Sequence, residues 1–534
     1  MVVVDVVVTR HGQAVQGLKK SDFTLLEDKK PQTVRIFEPH VPAEQPTTPT
    51  KIDLPPDQYT NFPVQPENRA VNLVLFDMLN TPVADQMYAR EQVVEFVKKL
   101  PPGQRVALFV LRKTQLHMIA GFTNDSSELV AAANKLLPDR SALLDTEEER
   151  QQNQDLIAQI EAASGRPGAP AFDLMRQSAS TNEDSRSDMR ALITLAGFKA
   201  LGESVAAYPG RKNVLWLSEG FPVSLAPDES LSKSPQNSMK NYLLALQETS
   251  ERLSSAQMAI YPIDIRGLQS MGIAISSSGE AAVGRQGGRS RYGDLINRQS
   301  LELQRTHEAM EEIAEQTGGV ASYNSNDLRA AMQRSIEHGA TYYTLAYVPE
   351  NKKWDGAYRH IQIKVAQPGV HAQYRQGYYA VSGRKDSLNV ARNALVAAMQ
   401  PTMPESTVLL LRVKVSPPDT KRPTVAIDYA VYAPDLTFTD APDHRKHGKV
   451  EFVAVAWDKK TNQAAGSVSQ TMEIALKPEN YQAFLRNGLP AHQELQLKEG
   501  TYTLRLGVMD DNSTKIGTLD IPLHIGGDKR RASR

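Results

Sequence analysis

The stretch Val71-Asn72-Leu73-Val74-Leu75-Phe76-Asp77-Met78-Leu79-Asn80-Thr81-Pro82 constrains this chain more than any other. An apolar, β-favouring run ends on a single aspartate, and a short polar turn then leads to Pro82. Such a run bounded by turn signals reads as a strand buried on both faces. Proline suits the first turn of a helix, where its missing N–H needs no partner. Asp77 is therefore expected at the carboxyl end of a parallel strand just before a helix, the edge at which open α/β sheets bind ligands.

The same alternation runs on through the middle of the chain. Helical periodicity over Ala84–Leu100 is followed by apolar strands at Arg105–Leu111 and Leu116–Phe122, and by a helix over Glu128–Leu137 with Ser126 or Ser127 as its cap. Helices follow at Met189–Ala207, Met239–Ser254, Leu301–Thr317 and Asp327–His338. Strands follow at Asn213–Leu217 and Met258–Ile265. This predicts a doubly wound, mainly parallel α/β domain over residues 69–340. Two segments interrupt it, a polar insertion at 139–187 and a Gly/Ser/Arg-rich stretch at 276–294 read as a loop.

The flanks read as β. Val2–Val8, Phe23–Asp28 and Thr33–Phe37 are strands too few to stand alone. They are expected to pair with the Tyr-rich strands after Thr341, making one small β domain from 1–40 and 341–384. Residues 41–68 are a Pro-rich linker, 385–405 a connector helix, 406–527 an Ig-like β-sandwich and 528–534 a basic tail.

Composition removes several function classes. The 534 residues carry 61 Lys+Arg against 61 Asp+Glu, which argues against a nucleic-acid partner. There is no cysteine, so thiol catalysis, disulfides and zinc–thiolate sites are absent. No run approaches the ~18 apolar residues that span a bilayer. His307 lacks the second histidine of a zincin. Trp216-Leu217-Ser218-Glu219-Gly220 lacks the first glycine of a nucleophile elbow, which leaves a hydrolase the least favoured reading. The expectation is a non-enzymatic protein.

Several motifs together carry a resemblance: the strand–Asp77–turn–helix order, Pro209-Gly210-Arg211-Lys212-Asn213 leading into a strand, and Leu217-Ser218-Glu219-Gly220-Phe221-Pro222 closing it. Gly17–Phe23, Glu27–Gln32, Gly121–Asp125 and Arg375–Ala380 belong to the same pattern. Over residues 1–381 the chain resembles the bacterial VWFA-related domain family, abundant in acidobacteria, within the von Willebrand factor A-type superfamily. The resemblance implies a metal-ion-dependent adhesion site, in which Mg²⁺ takes oxygen ligands and leaves one position for a partner's carboxylate. Asp77, Thr81 and Glu219 stand at its acid, second-hydroxyl and third-loop positions. Leu79 replaces the first serine and cannot coordinate, so the site is degenerate. Asn80, Ser185, Ser187 and Thr194 are weaker candidates. The competing expectation is that Asp77 and Asn80 shape the turn while Glu219 is a loop acid. Asp264, ending another strand, is either a neighbouring polar group or a turn residue. The resemblance further implies export (secreted, periplasmic or cell-surface), with a signal removed before Met1. It implies a role in adhesion to a protein partner, or else a structural place in an extracellular or periplasmic assembly, with self-assembly as one form of it.

Overall fold

The computed structural model describes residues 1–41, 54–63, 70–100, 104–145, 147–164, 169–220, 237–267, 288–381, 388–401, 403–418 and 424–526. At its centre is a five-stranded sheet. Its order across the sheet is Met258–Asp264, Lys212–Ser218, Val71–Asp77, Val106–Arg112, Gln115–Thr123. The first four strands are parallel, and the Gln115–Thr123 edge strand returns antiparallel as a hairpin. The two-residue alternation of a strand decides what lies on each face. Leu73, Leu75 and Leu79 enter a core with Phe198, Trp216, Leu246, Leu253 and Ile313. Val74, Phe76 and Met78 enter the opposite core with Val93, Phe96, Leu129, Met332 and Ile336. Helices thus cover both faces, and the strand is apolar from Leu73 to Phe76 because neither face meets water.

Numbered within this sheet by chain order, the strands run 5-4-1-2-3. From Val71–Asp77 the chain leaves to one side through the helix Val83–Lys98, and Lys212–Ser218 lies on the other side. The sheet therefore changes winding direction between Asp77 and Ser218, and opens a crevice at that point.

Four local expectations are corrected. Pro82 is the N-cap of its helix, not its first turn. Asp125 caps the next helix, Ser126–Asn134, accepting the N–H of Ser127 and Glu128. The polar insertion 139–187 is largely helical, with helices Glu147–Ala163 and Pro170–Ser204, the latter absorbing the helix expected from Met189. Of the stretch 276–294, residues 276–287 lie outside the described residues, and from Gly288 the chain is the first turns of the helix Gly288–Thr317, not a loop.

Strand Val2–Arg10 pairs antiparallel with Tyr342–Tyr347 and His371–Gln373, Phe23–Glu27 with Asp355–Val365, and Val34–His40 with Tyr342–Tyr347. One apolar core joins them, including Val4, Val6, Phe23, Leu25, Tyr343, Leu345 and Ile363. The Pro-rich linker is more than a spacer in its described part. Gln58–Thr60 is an edge strand on Leu411–Ser416. Beside it the buried Asn61 side chain donates to the carbonyls of Ser406 (3.0 Å) and Leu409 (2.9 Å) and accepts the N–H of Leu411 (2.8 Å). After the helix Leu388–Ala398, two antiparallel sheets of the C-terminal half close on one core built from residues such as Leu411, Ile427, Phe452, Leu504 and Ile521. The basic tail from 528 lies outside the described residues.

The central domain meets the C-terminal half where Thr407 N–H donates to Glu203 O (3.0 Å). Nearby Glu405 accepts the N–H of Asp520 (2.7 Å). Burial, aided by the Asp520 carboxylate, pushes Glu405 up to about 7. Because the folded protein holds this proton more tightly than the unfolded chain, its contribution is complete below pH 4.5 and is lost as pH rises through 7. Glu405→Gln keeps the acceptor and cannot ionise. Urea denaturation at pH 5 and pH 8 should therefore show a smaller loss for the variant, by up to about 3 kcal/mol. An identical loss in both proteins would show that Glu405 does not titrate in this window.

Candidate functional site

The crevice is built on the carboxyl ends of three adjacent strands. Register places Ser218 beside Asp264, with Asp77 on the neighbouring strand. Asp77 is fully buried, and its carboxylate is gripped by protein donors. Asn80 N–H donates to Oδ1 (3.0 Å), and Asn80 Nδ2 (2.8 Å), Trp216 Nε1 (3.0 Å) and Ser218 Oγ (3.0 Å) all donate to Oδ2. Burial pushes the Asp77 carboxyl up, against these four bonds, which favour the charged form.

A second layer fixes Asn80. Its Nδ2 also donates to Thr194 Oγ1 (2.9 Å), and its Oδ1 accepts from the guanidinium of Arg190 (3.2 Å). Arg190 and Thr194 are one turn apart on the helix Pro170–Ser204, where the Thr194 hydroxyl donates to the Arg190 carbonyl (2.9 Å). Of the three weaker hydroxyl candidates, Thr194 alone joins this network. Ser185 is exposed and donates to Thr181 O (2.8 Å), and Ser187 lies half-buried between those positions. Thr81 is buried, and its Oγ1 has no hydrogen-bond partner.

Glu219 follows Ser218 off the strand end. It is mostly buried, not an exposed loop acid; burial and a hydrogen bond to Asp85 push it up to about 9. At neutral pH it is a carboxylic acid donating to Asp85, and its Oε1 is buried without a partner. Asp264 behaves in the opposite way. Burial opposes its charge, but His307 Nε2 (2.9 Å) and Arg266 Nε and Nη2 (3.0 and 2.8 Å) hold its carboxyl below the ordinary range. His307 stacks on Tyr323, whose hydroxyl donates to Glu311. The rim therefore carries two buried carboxyls made different by their neighbours, one protonated and one ionised.

This donor set does not suit Mg²⁺, which asks for near-octahedral oxygen ligation. Leu79 is packed in the core. Both oxygens of Asp77 are taken by N–H and O–H donors, Glu219 is protonated, and Arg190 already brings a positive charge to Asn80. Among the described residues, no group of three or more acidic or histidine side chains is placed to hold a metal. Thr81 Oγ1 and Glu219 Oε1 are the two candidate oxygens left without partners. Ser218 is not set up as a nucleophile. Its hydroxyl lies 3.0 Å from both Asp77 Oδ2 and Gly220 O and accepts Gly220 N–H, and its partners include no histidine among the described residues.

Sequence reasoning located Asp77, Asn80, Thr81 and Glu219 at this edge but not Arg190, Trp216, Arg266 or His307 as their partners. The one available signal for Trp216 and Ser218 was their place in the last residues of a strand next to that of Asp77. Arg190 and His307 lie 110 and 43 residues from the side chains they touch, and nothing local marks them.

No protein-family model matches the chain, and no curated protein matches it. Solved structures do. The conserved hypothetical protein BatB from Bacteroides thetaiotaomicron is 11% identical over 50% of this chain and 98% of its own, at a TM-score of 0.23. The SpRpn10 VWA domain is 12% identical over 36% and 74%, at 0.17. The ArnB paralog VWA2 from Sulfolobus acidocaldarius is 9% identical over 86% and 67%, at 0.22. At these scores the likenesses carry no argument about this chain, and the readings that follow rest on its sheet order and on the chemistry of its crevice.

Proposed function

We propose that this chain is a non-catalytic binding protein of the A-type class, whose central domain grips a protein partner at the crevice between Asp77 and Ser218. One observation carries the reading. At the point where the sheet changes winding direction, folding leaves Thr81 Oγ1 and Glu219 Oε1 buried and unsatisfied. Buried polar atoms without partners are rare in folded proteins and ask for a ligand. The partner offers polar groups to these two atoms and meets the guanidinium groups of Arg190 and Arg266 at the rim. Export to the periplasm, cell surface or medium is part of the proposal and rests on the resemblance described above.

The proposed grip needs no cation. Melting temperatures in millimolar Mg²⁺, millimolar Mn²⁺ and EDTA should coincide, since a ligand that binds only the folded state raises the melting temperature by mass action. A rise with Mg²⁺ that Asp77→Ala abolishes would restore the metal-dependent form of the site. Partner location is tested by cross-linking the complex and mapping the protected peptides. They should include residues 78–85 and 264–266. Protection confined to the C-terminal sheets would overturn the proposal.

A second reading, a structural subunit of an extracellular or periplasmic assembly, is favoured by a different feature. Strand Ala464–Leu476 is a thirteen-residue sheet edge that pairs only with Lys446–Asp458 among the described residues. Long open edges invite strand addition from another copy. Discrete polymers in size-exclusion chromatography and electron microscopy would support assembly, and a monomer would support partner capture.

A further inference from the structure

The sheet edges of the C-terminal half are treated unequally. Gln58–Thr60 is only three residues long. Leu489–Leu495 carries Pro490, His492 and Glu494 at its exposed positions. Ile516–Ile525 carries Pro522 and is bridged at Gly517 by Thr407. Shortness, prolines and charges are the usual means of keeping an edge from pairing with another chain. Strand Ala464–Leu476 has almost none of them. It is thirteen residues long, holds no proline and has Glu473 as its single charge. Its one irregularity lies at Ala465, near the start, and from Gly466 onward its pairing with Lys446–Asp458 is unbroken. Among the described residues, no backbone hydrogen bond reaches its other side.

The residues of this edge complement their own reversal. Val468 and Met472 pack on the core of the sandwich, and Ser469 and Thr471 are exposed on the other face. A second copy added antiparallel about a two-fold axis through the sheet keeps both cores on one side, so directly opposed residues share a face. Centred on Gln470, such a pairing sets Val468 opposite Met472, Gly466 opposite Ile474 and Ser469 opposite Thr471. Gln470 meets itself, and Glu473 meets Ser467 and not a second carboxylate. Apolar residues face apolar ones and hydroxyls face hydroxyls, the combinations that stabilise cross-strand pairs. Moving the centre to Ser469 or Thr471 would set Gln470 against Val468 or Met472.

We infer that strand Ala464–Leu476 pairs with the same strand of a second copy, antiparallel and centred on Gln470, so that two C-terminal sheets run on as one. The inference rests on the second reading above and sharpens it. The edge is used once in each copy and the other edges named here are blunted, so the product is a closed pair and not a growing chain. The Asp77 crevice lies in the central domain and takes no part in this contact, so partner capture there stands or falls separately.

Sedimentation velocity of the full chain over a dilution series should show a monomer–dimer equilibrium. Because the chain has no cysteine, Gln470→Cys reports the register directly. Opposed residues of an antiparallel pair have Cα atoms about 4.5–5.5 Å apart, within reach of a disulfide. Mild oxidation should therefore link Gln470→Cys into a covalent dimer. Ser467→Cys should stay unlinked, because its two copies lie about 20 Å apart at the usual rise per strand residue. Ser469→Lys with Thr471→Lys sets lysine opposite lysine across the axis, and Ser469→Lys with Thr471→Glu sets lysine opposite glutamate. Both positions are exposed, so both variants should fold as the parent does. The first should dissociate roughly tenfold more readily than the second. Equal dissociation of the two variants would overturn the inference, as would a dimer that Gln470→Cys does not link. Discrete polymers would overturn the closed pair and leave the assembly reading standing, whereas a monomer at every concentration would overturn both.

Discussion

Replacing Glu27 with alanine should cost about 3–5 kcal/mol of stability, the usual result of leaving one member of a buried ion pair behind. Glu27 and Arg359 are 3% and 2% exposed, with Arg359 Nη1 3.4 Å from Glu27 Oε1. The other oxygen of Glu27 accepts the hydroxyls of Tyr347 (2.6 Å) and Tyr378 (2.9 Å). Burial and Glu27 together push both phenols above the ordinary tyrosine range. Without the carboxylate, the guanidinium keeps the carbonyls of Asn351 and Lys353 but no counter-charge, and two buried hydroxyls lose their acceptor. Arg359→Met should be milder, because the two phenols still solvate Glu27. The double variant Glu27→Ala, Arg359→Met should cost less than the two single variants summed, since the lone buried charge is gone. Native-state hydrogen exchange of the Tyr342–Tyr347 amides reads this domain separately from the rest. Additive losses would mean that the pair is not coupled.

Trp216→Ala should cost a comparable 3–5 kcal/mol, the range for emptying a large aromatic site. The indole is fully buried and packs edge-to-face with Phe198 at 5.1 Å. It also supplies one of the four bonds to Asp77. Trp216→Phe separates these roles, because it refills most of the volume and removes the N–H. Three donors remain on Asp77, so the phenylalanine variant should lose only about 1–2 kcal/mol. A phenylalanine variant as damaged as the alanine variant in urea denaturation would show that the bond to Asp77, and not the packing, dominates at this position.

The central sheet was legible because its strands are buried on both faces. Burial of that kind leaves unbroken apolar runs, and Asp77 and Asp264 stand out as the polar residues at which two of those runs stop. Polarity along this chain does not mark irregular structure. The helix Pro170–Ser204 begins inside a segment rich in Gln, Ser and Arg, and its first half is mostly exposed, so its composition reports solvent contact and says nothing against helicity. Gln58–Thr60 is too short for an alternation to register, and its neighbouring prolines speak for a linker. The crevice chemistry was half visible. Turn residues next to Asp77 could be named from their spacing. The protonation of Glu219 depends on its enclosure by elements distant in the chain and on Asp85, from the helix that follows the Asp77 strand.

The opening strand Val2–Arg10 takes its partners from Tyr342–Tyr347 and His371–Gln373. During synthesis, its valine-rich surface must wait until the ribosome has passed residue 373. At ordinary elongation rates of about 5–20 residues per second that is roughly twenty seconds to a minute. Over that interval the central sheet can close while the first strand remains sticky and unpaired. A holdase chaperone is the natural guard for it, and production yield should respond more to holdase supply than to changes inside the already folded middle.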